Sequence, residues 1–447
     1  MNIKKLIRLA AAAALAVATL PAALQGSVQA QSVSQPFTTR IYVQNPNAAA
    51  ATTVINFYPE LSGTAEATAV NLNLNANGSA EVLVGSLSLS SPWKGSAVIS
   101  ADQNVVAASV QVPPTGYGHI MANAFTAADA TSNLFLTTFI GAGDASNAVS
   151  LFAVQNTEST AINIRAQFIR PNGTVAAAPM VTLPANASKF FDGNNAASIG
   201  SGYTNPFNGS VVVTATKVSD GTPAMIVGTA EERRTDLTGL ANRRAYGFEA
   251  IPQSAGALTI YMPTALCRFN NTTTFFAIQN ISFSNATVVT VTYSAGTNQP
   301  TQQVNTVQPL AKWSIDPCQG NGNNQYSGAA IIQSSVSPIA AVGKANQIVV
   351  ATPRYGTAFL AQASGTVRLA IPHIRWNPNP PGTDFRTNIA IQNIGTAAIP
   401  AGQLVVRYYA QNGTLVNTCT SVPSMASGAK LNSNVAGAFF AADFNCS

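Results

Sequence analysis

The sequence predicts an all-β protein built as a tandem array of β-sandwich domains, and three observations lead to this prediction. A short strand that ends in Gln-Asn occurs four times, at Gln44-Asn45, Gln155-Asn156, Gln279-Asn280 and Gln392-Asn393. The residues two and four positions before each asparagine are large and apolar, which is the period of a strand with one face in a core. The asparagines are 111, 124 and 113 residues apart, which is the size of one small β-domain.

The paired apolar residues of each Gln-Asn strand are expected to be buried against the opposite sheet. They are Ile41/Val43, Phe152/Val154, Phe276/Ile278 and Ile389/Ile391. Replacing Ile278 by Ala is therefore expected to cost roughly 2–5 kcal/mol of stability.

Further landmarks follow each Gln-Asn strand in the same order. A second strand has an aromatic residue near its end: Phe57, Phe168, Tyr293 and Tyr408. In two repeats it runs into a hairpin signal, Asn172-Gly173 and Asn412-Gly413, because Asn-Gly favours tight turns. A third strand begins at Leu74, Leu183, Val307 and Met425. An aromatic-x-Gly motif then opens a β-branched strand at Trp93, Phe207 and Tyr326, and a Tyr-Gly pair opens the last strand at Tyr117, Tyr246 and Tyr355.

These landmarks predict an N-terminal signal peptide (1–30) and four repeats, at 31–125, 133–251, 257–361 and 366–447. About seven short strands in each repeat is the pattern of an Ig-like sandwich. Opening strands are predicted at 134–140, 258–266 and 367–374, and the first repeat has no clear counterpart. In the fourth repeat the aromatic-x-Gly position falls on Phe444, three residues before Ser447. The last domain is therefore expected to be incomplete, so that either the natural product is longer or a second molecule supplies the missing strands.

The N-terminus and the composition indicate an exported, charge-poor protein. Lys4, Lys5 and Arg8 precede a short apolar run, and Val28-Gln29-Ala30 fits the small-x-small cleavage rule, so the mature chain is expected to start at Gln31. The 22 Lys and Arg include those three, so 19 remain against 16 acids. Only 9% of residues are charged, against roughly 25% in an ordinary domain. This composition excludes nucleic-acid binding, and no membrane span is expected after signal removal.

The four cysteines are predicted to form two disulfides. Cys267 and Cys318 lie in the third repeat, and Cys419 and Cys446 lie in the fourth. An even number in an exported chain, without metal-ligand spacing, favours disulfides. We expect Cys267–Cys318 and Cys419–Cys446, each within one repeat.

No residue set predicts a catalytic, cofactor or metal site. His119 and His373 lie in different repeats, which argues against a Ser-His-Asp arrangement and a zinc site. Asp192-Gly193-Asn194-Asn195 lacks the further acid of a calcium loop. Glu231-Glu232-Arg233-Arg234, with Arg243-Arg244, is the densest charge, and we interpret it as a solvated hairpin tip. A contact loop for a neighbouring domain or an anionic wall polymer is the alternative.

The order of landmarks resembles that of tandem Ig-like repeats in secreted and cell-surface proteins of filamentous bacteria. The resemblance covers nearly the whole mature chain, and it implies a fold and a location without a catalytic residue. We expect a non-enzymatic secreted or cell-surface protein, a rod of four sandwiches with a structural or adhesive role. Partners would be a cell-wall or extracellular polysaccharide, another surface protein, or a second copy. The alternatives are an array of glycan-binding modules, for which Trp376 would be the loop aromatic, and the non-catalytic part of a larger secreted hydrolase.

Overall fold

The structure, a computed structural model, describes residues 26–30, 38–90, 92–112, 120–145, 148–234, 245–294, 298–322, 324–347, 356–372, 374, 387–420 and 423–434. These residues form pairs of small antiparallel sheets that repeat along the chain. The protein is an all-β, multi-domain sandwich, as the sequence predicts.

The first repeat is a sandwich of two four-stranded sheets. Its strands are β1 (Gly26–Ala30), β2 (Thr38–Gln44), β3 (Ala51–Pro59), β4 (Val70–Leu74), β5 (Ser79–Leu83), β6 (Gly95–Ala101), β7 (Val106–Val112) and β8 (Ile120–Asn123). The order of strands is β1-β6-β3-β4 in one sheet and β5-β2-β7-β8 in the other.

The second repeat has the same plan with short additions. Its strands are β9 (Asn133–Ile140), β10 (Ala148–Asn156), β11 (Ile162–Ile169), β12 (Val175–Ala177), β13 (Met180–Leu183), β14 (Ser188–Asp192), β15 (Asn208–Lys217), β16 (Ile226–Arg234), β17 (Ala245–Glu249) and β18 (Ile251–Pro252). A short helix, α1 (Ala196–Ile199), follows β14. The sheets are β12-β11-β15-β9-β18, with β13 also on β11, and β14-β10-β16-β17.

The third repeat returns to eight strands, and the fourth has four within the described residues. The third consists of β19 (Thr259–Cys267), β20 (Thr272–Asn280), β21 (Thr287–Ser294), β22 (Gln303–Val307), β23 (Lys312–Ile315), β24 (Tyr326–Ser334), β25 (Ile339–Gln347) and β26 (Gly356–Leu360). Its sheets are β19-β24-β21-β22 and β23-β20-β25-β26. The fourth has two paired sets, β27 (Asn388–Gln392) with β30 (Lys430–Asn434), and β28 (Val406–Tyr409) with β29 (Leu415–Cys419).

The strand pairing is related to that of an immunoglobulin sandwich but is not identical to it. In the third repeat the second strand pairs with the fifth (β20 with β23) and the third with the sixth (β21 with β24), as strands B and E and strands C and F do in that fold. The first strand pairs with the sixth, and the seventh pairs with the second. Each of the first three repeats therefore has at least eight strands instead of about seven.

The predicted core residues are buried in three of the four repeats. Ile41, Val43, Phe152, Val154, Phe276 and Ile278 are at most 1% exposed. The predicted inward face of the Gln-Asn strand is therefore confirmed there. In the fourth repeat Ile389 and Ile391 are only half-buried.

The aromatic-x-Gly motif has a packing explanation in the second repeat. A Cβ on Gly209 would lie 2.1 Å from the carbonyl oxygen of Ile169 and 2.6 Å from the ring of Phe207. Phe207 itself is fully buried. The ring of Phe207 therefore packs against the backbone of Gly209 at a distance that only a residue without a Cβ permits.

The predicted hairpins form, each with a bulge. Gly173 and Gly413 have φ of 86° and 87°, and the ladder shifts register next to each turn, after Phe168 and after Tyr408. Asn172 and Asn412 do not have positive φ; their Oδ1 atoms accept hydrogen bonds from the backbone N–H groups two residues later.

The opening strands form in the second and third repeats, but the prediction for the fourth is wrong. The described residues from 363 to 372 contain no strand, although β9 and β19 occupy the matching position. In those repeats the opening strand pairs with the aromatic-x-Gly strand, β15 or β24. The matching strand of the fourth repeat would lie after β30, where 435–447 is outside the described residues. In the first repeat, for which the sequence predicted no clear opening strand, β1 takes that position and pairs with β6. β1 lies within the predicted signal peptide (1–30), so cleavage after Ala30 would remove this strand from the first repeat.

The four repeats form a closed ring, so the expected rod is wrong. The backbone N–H of Ser79 in the first repeat donates to the carbonyl of Gln411 in the fourth at 2.7 Å. The guanidinium of Arg368 reaches the carbonyl of Pro46 at 3.2 Å. The physical reason is that neighbouring repeats pack through sheet faces: Phe135 and Val212 of the second repeat belong to the core cluster of the third.

Candidate functional site: the junctions between repeats

The asparagine of the Gln-Asn motif fastens two segments within its own repeat. Asn280 Nδ2 donates to the carbonyls of Asn285 at 2.7 Å and Val307 at 3.1 Å, and its Oδ1 accepts from the Ser282 N–H at 3.0 Å. The other three asparagines make equivalent bonds: Asn45, Asn156 and Asn393. The asparagine therefore closes the turn after its strand and ties that turn to the third landmark strand.

The glutamine of the motif binds a turn of unusual backbone conformation. Gln279 Nε2 donates to the carbonyl of Leu310 at 2.9 Å, and Leu310 has φ of 60°. Matching bonds run from Gln155 to Asn186 and from Gln392 to Gly428. The residues at this position all have positive φ and are Asn77, Asn186, Leu310 and Gly428.

The carbonyl of this turn also accepts a hydrogen bond from the preceding repeat. Ser96 Oγ donates to Asn186 at 3.2 Å, and Ser210 Oγ donates to Leu310 at 2.7 Å. Both serines follow the glycine of an aromatic-x-Gly motif. We call this three-part contact (glutamine amide, turn carbonyl and hydroxyl of the preceding repeat) the turn-carbonyl junction.

The third turn-carbonyl junction obtains its hydroxyl from a different strand. Ala329 occupies the serine position of the third repeat, and its cross-strand neighbour is Ser294. Ser294 Oγ donates to the carbonyl of Gly428 at 2.9 Å. The same carbonyl is thus bound in the same way, although the hydroxyl has moved to the adjacent strand.

The contact between the fourth and first repeats uses the same turn. Gly413, at the tip of the β28–β29 hairpin, lies so close to the turn that a Cβ on it would be 2.2 Å from the carbonyl oxygen of Ala76. In the contact between the second and third repeats, Gly173 lies against Gln308 and Pro309. A hairpin of one repeat therefore lies on the turn of the next in both contacts.

A half-buried carboxylate joins the first repeat to the second. Glu60 forms ion pairs with Lys94 of its own repeat at 2.6 Å and with Lys189 of the second repeat at 3.2 Å. It also accepts the backbone N–H of Phe190 at 3.0 Å. Burial raises the pKa of Glu60, but these hydrogen bonds and charges outweigh burial, so the pKa lies below its ordinary value.

Glu231 and Glu232 are not at a hairpin tip, which corrects the interpretation made from the sequence. They lie in β16 and are 2% and 4% exposed. Glu232 forms an ion pair with Lys344 of the third repeat at 2.8 Å, and Glu231 pairs with Arg233 at 2.6 Å. The strand continues through these charges because both carboxylates are paired away from water, Glu232 with a lysine of the neighbouring repeat and Glu231 with an arginine of its own strand. Arg243 and Arg244 lie outside the described residues.

A second lysine of the third repeat lies at the same junction. Lys312 is 6% exposed, and its Nζ donates to Thr138 Oγ1 of the second repeat at 3.2 Å. Burial, with the nearby charge of Lys344, lowers the pKa of Lys312 to about 7. Glu232 and Asp144 act in the opposite direction. Lys312 and Lys344 therefore lie at the same junction, where Glu232 is the carboxylate in direct contact with Lys344.

The other candidate residues do not assemble into a chemical site within the described residues. His119, His373 and Trp376 lie outside them. Trp93 packs edge-on against Phe57 at 5.7 Å, and Trp313 is half-buried against the core of the third repeat. The Asp192 carboxylate accepts the backbone N–H of Asn194 in a turn. In this described portion, no group of three or more His, Cys, Asp or Glu side chains could hold a metal ion.

One predicted disulfide is present. Cys267 and Cys318 are bonded, with Cα atoms 5.0 Å apart. Cys419 is also disulfide-bonded, but Cys446 lies outside the described residues, so the second pairing stays a prediction.

Comparison with models of known protein families gives no match, and comparison with curated proteins gives none either. Among the described residues, no helix is long and apolar enough to cross a membrane.

Proposed function

We propose that this chain is a non-enzymatic secreted or cell-surface protein with a structural or adhesive role. It would act as a scaffold of four joined repeats, with a polysaccharide or another surface protein as its partner. The observation that carries the proposal is the recurrent turn-carbonyl junction, because the residues that recur along the chain are used to join repeats.

The distribution of charge also supports a scaffold. Glu60, Lys189, Glu232, Lys312 and Lys344 are charged side chains in contact with a neighbouring repeat. In a chain with only 9% charged residues, charged side chains that join repeats are what a scaffold requires.

The proposed secreted or cell-surface location rests on arguments from the sequence. The positive segment, the short apolar run and the Val28-Gln29-Ala30 site favour export. The order of landmarks resembles that of tandem Ig-like surface proteins of filamentous bacteria. The Cys267–Cys318 disulfide suits an oxidising compartment.

Export and surface attachment can be tested together in the producing cell. N-terminal sequencing of tagged chain from the medium and from the surface should begin at Gln31, and protease treatment of intact cells should remove the surface fraction. Deleting the gene should reduce attachment or alter the cell envelope, and re-expression should restore it. A chain that keeps residues 1–30 and stays inside the cell would contradict the location. Turnover of a polysaccharide, ester or peptide that is lost on changing one acid or histidine would contradict the non-enzymatic role.

A further inference from the structure

The opening position of the first repeat is filled by a strand that export is expected to remove. β1 pairs antiparallel with β6 along residues 95–99. The predicted cleavage after Ala30 separates β1 from the mature chain. β6 would then be an edge strand with unpaired backbone N–H and C=O groups, which is a template for another strand. We call residues 95–99 of β6 the vacated edge.

The second and third repeats show which side chains the opening position requires. Each opening strand places two apolar residues, two positions apart, against the aromatic-x-Gly strand, and all four are at most 1% exposed: Leu134, Leu136, Ile260 and Met262. By register, the matching positions of β1 are Gly26 and Val28. β1 therefore has a glycine where the other repeats bury a leucine or an isoleucine. A more apolar strand would complete the core of the first repeat better than β1 does.

The fourth repeat contains a segment with the required sequence pattern. Val367, Leu369 and Ile371 alternate with other residues, which is the period of a strand, and the sequence predicts an opening strand here. Among the described residues, however, 363–372 contains no strand. Leu369 and Ile371 are 73% and 39% exposed. This apolar segment is therefore available for strand pairing.

The same segment already lies at one end of the vacated edge. Ala370 and Pro372 line a cleft together with Ile99, which is the residue opposite Gly26 in the pairing of β1 with β6. The guanidinium of Arg368 also contacts the first repeat, through the carbonyl of Pro46. The segment is therefore next to the position that β1 would leave.

The residues directly after the cleavage site are too few to replace β1. In the third repeat, the link from the opening strand to the next strand takes residues 268–271. A link of that length before Thr38 would leave only residues 31–33 for a strand, whereas β1 pairs over five residues. The replacement must therefore come from another part of the protein, and 367–371 is the adjacent segment.

We propose that signal cleavage lets residues 367–371 replace β1 on the vacated edge. The new strand would run antiparallel to β6, as β1 does. Leu369 would lie opposite Ile99, at the position that a leucine or isoleucine fills in the other repeats. Ile371 would lie opposite Ala97, at the second core position. The contact that closes the ring would then become part of a sheet. This inference rests on the proposed export, because that cleavage removes β1.

The test compares two purified chains, residues 26–447 and residues 31–447, by hydrogen exchange and mass spectrometry at two protein concentrations. The amides of 367–371 should exchange at least about tenfold more slowly in the shorter chain, because strand hydrogen bonds would protect them. The amides of 95–99 should be protected in both chains, by β1 in the longer one and by 367–371 in the shorter one.

A substitution in the segment separates the two chains further. In the shorter chain, Leu369→Asn should accelerate exchange of both 367–371 and 95–99 at least about tenfold, because the asparagine amide would have no partner in the core. In the longer chain it should leave 95–99 unchanged, since β1 holds that edge. Leu415→Asn is the matched control: Leu415 is 49% exposed in β29 of the same repeat, so exchange of both stretches should stay the same.

The other outcomes overturn the proposal. Equally fast exchange of 367–371 in the two chains would show that this segment does not pair. Protection of 95–99 in the shorter chain without protection of 367–371 would place another segment on the edge. Protection of 367–371 only at the higher concentration would mean that a second copy supplies the strand. N-terminal sequencing that finds residues 26–30 on the secreted protein would contradict the proposed cleavage, whereas the exchange comparison tests the strand pairing independently of export.

Discussion

At the scale of single residues, the motif asparagine makes the same hydrogen bonds in all four repeats, and the motif glutamine makes the same bond in three. The asparagine satisfies two or three carbonyls and one N–H of its own repeat, and the glutamine amide holds a turn with positive φ. Buried polar groups are costly when a partner is lost, so these bonds make the motif hard to replace. Leu310 has φ of 60°, a conformation that a branched side chain rarely adopts, which suggests that the surrounding bonds impose it.

We expect Asn280→Ala to lower the free energy of unfolding by about 3 kcal/mol, because it leaves the Asn285 and Val307 carbonyls and the Ser282 N–H without their partner. Urea unfolding followed by circular dichroism measures the change. Asn305→Ala, at an exposed position of the same repeat, should shift stability by less than about 0.5 kcal/mol. Equal effects of the two substitutions would refute the fastening role.

The residue scale also shows what the sequence could and could not predict. The period of two in Phe276 and Ile278 predicts their burial, because it depends only on the local chain. Ser210 and Leu310 are 100 residues apart, and nothing local pairs a hydroxyl with a distant turn carbonyl. The turn residue recurs 30 to 35 residues after the motif asparagine, and Ser96 and Ser210 follow their asparagines by 51 and 54 residues, so only a similar spacing was available as a signal. Glu231 and Glu232 were misread because a charge run ordinarily faces water, and the lysine of the neighbouring repeat that pairs with Glu232 cannot be recognised from a single segment.

At the scale of elements, sheets meet face to face and their charges lie between them. Glu232 of β16 and Lys312 and Lys344 of the third repeat occupy one such interface, with Thr138 of β9 as a hydrogen-bond partner. A lysine buried beside another lysine is held in a state with a depressed pKa. The packing of these two sheets therefore makes the stability of the protein depend on pH.

Stability should rise with pH between about 7 and about 10, because of Lys312. The unfolded lysine keeps its proton up to its ordinary value of 10.5, whereas the folded one releases it at about 7. Between these values the unfolded state binds more protons, so stability falls as the pH drops and levels off below 7. The maximal slope is about 1.4 kcal/mol per pH unit.

Urea unfolding of the wild type and of Lys312→Met at pH 7, 8 and 9 measures this slope. The variant should lose it, since methionine fills the space of the lysine stem without a titrating group. Parallel pH profiles for the two proteins would show that Lys312 stays protonated at the interface.

At the scale of the whole molecule, the fourth repeat meets the first, and this was the least predictable feature. The sequence predicted a rod of four sandwiches. The angle between neighbouring repeats is set by packed faces such as Phe135 and Val212 against the third repeat. Such contacts form between elements more than a hundred residues apart, so no local pattern encodes them.

Small-angle X-ray scattering distinguishes a ring from a rod. A compact chain of this length should have a radius of gyration of about 22 Å, and a rod of four sandwiches would be markedly longer. Measurements are made at low concentration, so that association does not enlarge the value. A clearly extended particle would refute ring closure, and a value near the compact one would support it.

The closed ring also restricts how the gene can change by duplication. An open array gains or loses a repeat at either end, because each unit contacts only its neighbours. Here the β28–β29 hairpin, with Gly413 at its tip, already contacts the turn of the first repeat. Adding a fifth repeat would have to break that contact. The contact between the fourth and first repeats therefore fixes the number of repeats. Related chains can change the loops and sheet faces of each repeat more easily than they can change the number of repeats.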